Sequence, residues 1–210
     1  MISTGKIAAF AMTLLAAAWI AAPQAGATGA SANQDAGAAY EPVGAATSVP
    51  WGWVDYCRRY ADECDGAALP ATRVKLDAAL RDALVKVDDE VNAAIDPVTA
   101  MDHWGVVNKW DLPLDGRGDC NSYVLMKRKM LLAAGVPRQA LLATVVIDKQ
   151  GEGHLVLTVA TDRGDLVLDN LEPRILPWDE TGYDFVKRQS QEDPNVWISV
   201  NARAVVAAAN

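Results

Sequence analysis

Cys120, His154 and Asp169 are the residues whose types and surroundings best suit chemistry. Cys120 closes the run Arg117-Gly118-Asp119-Cys120 and opens a stretch to Ala134 rich in helix formers, with apolar residues at Tyr123, Met126, Met130 and Leu131. Asp119 is a good helix N-cap, which sets the cysteine in the first turn. The unpaired N–H groups and the positive end of the helix dipole stabilise an anion there and raise the thiolate fraction. The thiolate is the attacking form of cysteine, so the position suits nucleophilic acyl chemistry. On this stretch alone, a buried apolar cysteine within a helix explains the residue equally well.

A thiol nucleophile needs a base, and the chain has two histidines, His103 and His154. His154 follows Gly151-Glu152-Gly153 and opens a strand of apolar residues, where an imidazole is held rigidly with its approach side open. His103 sits beside Trp104 in irregular sequence and suits loop pinning, so the base is assigned to His154. The base in turn needs an acceptor that fixes its tautomer and stabilises the imidazolium. Asp169 interrupts the apolar run Leu166-Val167-Leu168, and a half-buried carboxylate needs a partner. A two-residue turn at Arg163-Gly164 puts Asp169 on the sheet face of His154 but about four residues from its direct partner, so a bulge or offset has to join them. Alternatively, Asp169 and Asn170 only cap the strand end. For an oxyanion, the backbone N–H of Cys120 is the natural donor, with a second donor from the 102 to 110 loop.

Several elements must position these residues. Val74, Leu76, Leu80, Leu84, Val87, Val91 and Ile95 recur mostly at three or four, predicting one amphipathic helix between Thr72 and Ile95 that Asp96-Pro97 ends. Residues 96–118 show no period and read as a long irregular loop, a kind that tends to be functional. Gly135 and Pro137 stop the helix after Cys120. The period then becomes strand-like over 141–147, 154–161 and 165–171, with a last strand at 196–200. A helix followed by a mostly antiparallel sheet is an α+β architecture.

The net charge of the 210-residue chain is -8. Lys6, an uncharged apolar run from Ile7 to Ala22 and the triplet Ala25-Gly26-Ala27 form the layout of a secretory signal peptide at residues 1–27. The run is shorter than the roughly 20 residues a spanning helix needs, so no stable membrane insertion is expected after cleavage. Cleavage removes one lysine and no acid, which takes -8 to -9. A field that acidic excludes nucleic acid and anionic lipid surfaces as partners. Residues 28–48, rich in Ala, Gly and Ser, read as a flexible leader, 49–201 as a single domain and 202–210 as a tail. Of three cysteines, Cys57 and Cys64 lie seven apart. In an unbroken helix their Cα atoms would be about 10.5 Å apart, so a disulfide needs a bend between them. Either that bond or two buried free thiols leaves Cys120 as the one to react.

These residues sit within motifs that resemble the bacterial transglutaminase-like cysteine proteinases over roughly Trp51 to Val200. The marks are WGWVDYCRRYADEC from Trp51, Val91-Asn92, Trp104-Gly105, Trp110 with Pro113, GRGDC ending at Cys120, YVLMKR from Tyr123, GEGHLVLTV from Gly151, GDLVLDNL from Gly164 and KRQSQEDPNVW from Lys187. The resemblance implies a Cys, His, Asp order that falls on Cys120, His154 and Asp169. It also implies a papain/transglutaminase-like fold, with the cysteine at a helix N-terminus packed on an antiparallel sheet, and periplasmic peptide-bond hydrolysis, calcium-dependent in some members. One departure stands out: the acidic pair usual after Gly-Asp-Cys is Asn121 and Ser122 here. Calcium prefers several charged oxygens, and Asp119 is the one retained candidate ligand, so no calcium requirement and no other cofactor is expected.

The expected function is an exported cysteine peptidase or amidase acting on a protein or peptide through an acyl-enzyme on Cys120. A catalytically idle protein-binding module and a transglutaminase-type acyl transferase of the same fold are the alternatives. A regulatory protein partner is left open.

Overall fold

The structure, a computed structural model, describes residues 39–200. The expected signal peptide at 1–27, leader residues 28–38 and the tail at 202–210 lie outside them. In chain order the elements are β1 (Val43–Thr47), α1 (Trp51–Arg59), α2 (Ala61–Cys64), α3 (Ala78–Ala94), β2 (Asp96–Pro97), α4 (Ala100–Trp104), β3 (Arg117–Gly118) and α5 (Cys120–Ala133). The chain continues with β4 (Leu141–Ile147), β5 (Gly153–Thr161), β6 (Gly164–Leu168), β7 (Leu176–Pro177), β8 (Asp184–Gln189) and β9 (Trp197–Val200). Seven strands form one sheet in the order β1-β9-β8-β4-β5-β6-β7, every neighbouring pair antiparallel.

The main core lies between the helices and the sheet. Leu84, Val87 and Val91 of α3 and Val124 and Leu131 of α5 meet Leu141, Leu155, Leu157 and Leu168. Fully burying one such leucine contributes about 2 kcal/mol. Trp110 stands edge-on to both Trp53 and Trp197, ring centroids 6.2 Å apart in each pair, a geometry the aromatic quadrupole favours. Gly52 permits this packing, because a Cβ there would lie 2.2 Å from Cδ1 of Trp110. A smaller cluster of Val146, Val156, Val167, Trp178, Phe185 and Val200 forms a second core. Strands β4 and β5 are therefore apolar along nearly their whole length.

Helix α1 breaks at Tyr60 (φ -129°, ψ 62°) before α2 begins. That break brings the Cα atoms of Cys57 and Cys64 to 5.5 Å, and the two are bonded as a disulfide. Cys120 is the free cysteine among the described residues.

The structure corrects several expectations. Residues 39–48, assigned to the leader, include β1 at the sheet edge and a buried Glu41. Ladder hydrogen bonds and a Glu41 Oε2 contact with Arg188 at 3.2 Å hold this segment, and neither depends on an apolar pattern. Helix α3 starts at residue 78, not 72, because Asp77 caps it by accepting the Leu80 N–H while Val74 bridges Thr161 in an extended stretch. The 96–118 loop holds α4, and its ends pair as the parallel strands β2 and β3. β8, absent from the sequence reading, lies inside the sheet. Its charged Lys187 and Arg188 mask the strand pattern, and Arg188 is buried against Glu41 and Asp165.

Candidate active site

The position of Cys120 is set by a tight entry into α5. A Cβ on Gly118 would lie 2.4 Å from Cβ of Ser122, so only glycine lets the chain pass this close to the first turn. Asp119 then caps the helix, its Oδ1 accepting the Asn121 N–H at 3.1 Å and its Oδ2 accepting from Asn121 Nδ2 at 3.1 Å. Burial pushes the Asp119 carboxyl upward against these hydrogen bonds. Cys120, half-buried, occupies the first helical position, where a backbone N–H has no partner within the helix.

His154 and Asp169 are brought together by register. The β5–β6 turn is Asp162-Arg163, with Thr161 paired to Gly164, and not Arg163-Gly164 as expected. Gly164 has φ 114° and lies against the carbonyl oxygen of Ala39, which a Cβ would approach to 2.8 Å. Moving the turn by one residue slides the ladder by two. Leu168 pairs with Leu157, and continuing that register sets Asp169 opposite Val156, on the same face as His154 and two residues from it. The side chains cover the remaining gap, with Nε2 of His154 2.7 Å from Oδ1 of Asp169. Since the carboxylate holds Nε2, Nδ1 is the ring nitrogen left for the Cys120 thiol, which also acts on the ring.

The electrostatics follow from this contact. His154 is 7% exposed and Asp169 2%. Burial works to lower the His154 pKa but is outweighed by hydrogen bonds and attraction from Asp169 and Cys120, which raise it from 6.5 to about 9. For Asp169, burial favours the neutral acid, yet hydrogen bonds from His154 and Tyr183 and the imidazolium charge hold it below the usual carboxylate range. A raised histidine contributes stability that is complete below 6.5 and is lost as pH rises through about 9. The Tm gap between the wild type and His154→Ala should therefore narrow between pH 6.5 and 9.5; a constant gap would refute the pairing.

Groups that the sequence reading did not single out touch the pair. Tyr183 donates its hydroxyl to Oδ2 of Asp169 at 2.6 Å, and Asn92 donates Nδ2 to the main-chain oxygen of Asp169 at 2.9 Å. Asn92 lies in a family mark, whereas Tyr183 precedes a strand that had no sequence signal. Deeper in α5, the fully buried Lys127 pairs with Asp88 of α3 at 2.6 Å, an ion pair without hydrogen-bond alignment. Burial lowers the Lys127 pKa and raises that of Asp88, each opposed by the partner's charge.

Cys120 and His154 line an open cleft of about 850 Å³ together with Asn121, Asn108, Met101 and Lys187, and a shallower depression of about 280 Å³ adjoins both residues. Of the 102 to 110 loop, Val107, Asn108 and Trp110 line the large cleft, the Trp110 indole N–H donating to Oδ1 of Asn108 at 3.0 Å. His103 is occupied elsewhere, with Nε2 2.8 Å from Asp115 and its ring stacked on Trp104.

A half-buried cysteine at a helix start, beside a His–Asp pair carried by an antiparallel sheet, defines the transglutaminase-like cysteine proteinase fold. The chain belongs to the bacterial transglutaminase-like cysteine proteinases, whose family profile matches residues 43–205. Among solved structures, Legionella pneumophila LapG is similar at 25% identity and TM-score 0.50, covering 62% of this chain and 75% of that one. Its EGTA-treated form matches at 26% and 0.51 over 61% and 71%, and its calcium-bound form at 24% and 0.50 over 69% and 87%. No curated protein sequence matches the chain at a significant level. The expectation of no calcium requirement is corrected, because Legionella pneumophila LapG occurs in EGTA-treated and calcium-bound forms, which points to calcium binding. Loss of the acidic pair at Asn121 and Ser122 was an insufficient ground, since calcium also takes neutral carbonyl oxygens and water.

Proposed function

We propose that the chain is an exported cysteine peptidase in which Cys120 is the nucleophile, His154 the base and Asp169 the group that orients and charges the base. The observation that carries this reading is the 2.7 Å contact between His154 and Asp169, made on the ring nitrogen that leaves the other free for Cys120. The thiolate adds to a substrate carbonyl, and the oxyanion is stabilised by the unpaired Cys120 N–H at the helix start. His154 then gives its proton to the departing amine, leaving an acyl-enzyme. Water, deprotonated by His154, releases the acid and restores the thiol. The open cleft suits an extended polypeptide, and the amino-terminal pattern of one lysine, an apolar run and a small-residue triplet supports delivery to the periplasm or beyond. Among the described residues no helix is long and apolar enough to cross a membrane.

Iodoacetamide tests the pairing directly. Cys120 of the wild type is expected to label at pH 7 at least tenfold faster than Cys120 of His154→Ala, because the imidazolium holds the thiolate. Equal rates would end the case for an activated nucleophile and favour a binding module. Comparing new N-termini among exported proteins with and without the intact enzyme would then name the substrate.

Calcium binding is part of the same proposal, with Asp119 and Asn121 as the oxygen donors beside Cys120. Each Asp119 oxygen accepts one hydrogen bond from Asn121 and retains a lone pair, and the amide oxygen of Asn121 remains an acceptor. Among the described residues no three His, Cys, Asp or Glu side chains gather as a cluster, so water and main-chain carbonyls would complete the shell. A bound ion would supply fixed positive charge at the start of α5. Calcium added to EGTA-treated protein should raise the Tm of the wild type and leave Asp119→Asn unmoved; a wild type indifferent to calcium refutes this assignment.

A further inference from the structure

We propose that Tyr183 is a positioning residue for the His154–Asp169 pair, holding the carboxylate from its far oxygen and walling the imidazole on one side. This inference rests on the triad reading and extends it.

A buried carboxylate that serves a histidine has two oxygens, and both need partners. Oδ1 of Asp169 meets Nε2 of His154 at 2.7 Å and also accepts the Leu171 N–H at 3.1 Å. Oδ2 is met by the Tyr183 hydroxyl at 2.6 Å. Without that hydroxyl the carboxylate would keep an unsatisfied oxygen in a site 2% exposed and would gain freedom to rotate away from His154. The same tyrosine touches the other member of the pair. Its ring meets the His154 ring at 5.9 Å between centroids and 80° between planes, an edge-to-face packing that fixes the plane of the imidazole. One side chain therefore constrains both groups whose relative orientation sets proton transfer.

The backbone that presents Tyr183 is itself held. Gly182 has φ 73°, and the Thr181 hydroxyl accepts the Tyr183 N–H at 3.2 Å while donating to the Trp178 carbonyl at 2.8 Å. The charged neighbours come from several elements. Lys149 of the β4–β5 turn lies 5.7 Å from the Tyr183 ring centroid, Asp148 of that turn and Glu172 after β6 act on its hydroxyl, and the charges of Lys127 of α5 and Asp88 of α3 interact with that of Asp169. None of these donates to Oδ2. The tyrosine supplies the hydrogen bond while adding no charge, so Asp169 stays ionised with its strength directed at His154.

Tyr183→Phe removes the hydroxyl and keeps the ring. We expect kcat to fall about tenfold with KM changed less than twofold, since the cleft that binds the substrate does not include this hydroxyl. The downfield proton resonance of the His154 Nε2–H should shift in the same variant, a signature that a purely structural role would not move. Near-UV circular dichroism checks that the ring remains packed. A Tyr183→Phe enzyme with wild-type kcat and an unshifted resonance overturns the inference. If Asp169→Ala itself keeps full activity, the triad reading has failed instead; if Asp169→Ala is inactive and Tyr183→Phe is unaffected, the tyrosine alone was misassigned.

Discussion

Replacing Cys120 with alanine is expected to lower turnover by on the order of 10⁵ to 10⁶-fold, to the residual level that binding and an oxyanion donor alone provide. No other described cysteine can form the acyl bond, since Cys57 and Cys64 are consumed in a disulfide. Folding should be nearly untouched. The sulfur lies half-buried at the first position of α5, and the cap that starts the helix belongs to Asp119, so the Tm should move by no more than about 2 °C. Asp169→Asn should cost about 10⁴-fold, because an amide donating to Nε2 would fix the wrong tautomer. A fluorogenic peptide assay beside thermal melts decides the matter. Full activity in Cys120→Ala would refute Cys120 as the nucleophile, whereas a wild type without turnover would leave the binding module as the surviving reading.

Asp88→Ala should be the most damaging stability change outside the hydrophobic core. Lys127 has no exposed surface, and Asp88 is its counter-ion at 2.6 Å. Removing the aspartate leaves an ammonium in the interior without compensation, which costs about 3–5 kcal/mol, or roughly 10 °C in Tm for a domain of this size. Pairing Asp88→Leu with Lys127→Met should recover most of that loss, because two apolar groups of similar volume carry no desolvation penalty. Urea denaturation of the single and double variants separates the effects. A loss below 1 kcal/mol in Asp88→Ala would mean that the lysine neutralises or finds water at little cost. The double variant also reports on the site, since the charges of Lys127 and Asp169 interact.

The parts of the site that were legible in the sequence depend on short-range rules. Asp119 as a cap, Cys120 at the first helical position and His154 at a strand start each follow from a few neighbouring residues. Asp169 was readable because a carboxylate inside Leu166-Val167-Leu168-Asp169 demands a partner. The calcium expectation failed for a related reason. Counting carboxylates in one short stretch measures only part of a donor set that the main chain, neutral amides and water can complete.

The amino-acid sequence by itself determined the identities and chain order of the three candidate residues Cys120, His154 and Asp169, the α+β architecture and the helix that presents the thiol, because caps, periodicity and turn residues act within one or two turns of chain. Tertiary structure alone decided the one-residue change of turn that brings Asp169 to His154, the strap of residues 39–43 tied through Glu41, the central place of β8, and the contacts of Tyr183 and Asn92. Those contacts join residues from 14 positions apart, Tyr183 to Asp169, to 147 apart, Glu41 to Arg188. Their energies appear only once strand order and register are fixed, and both are properties of the whole sheet.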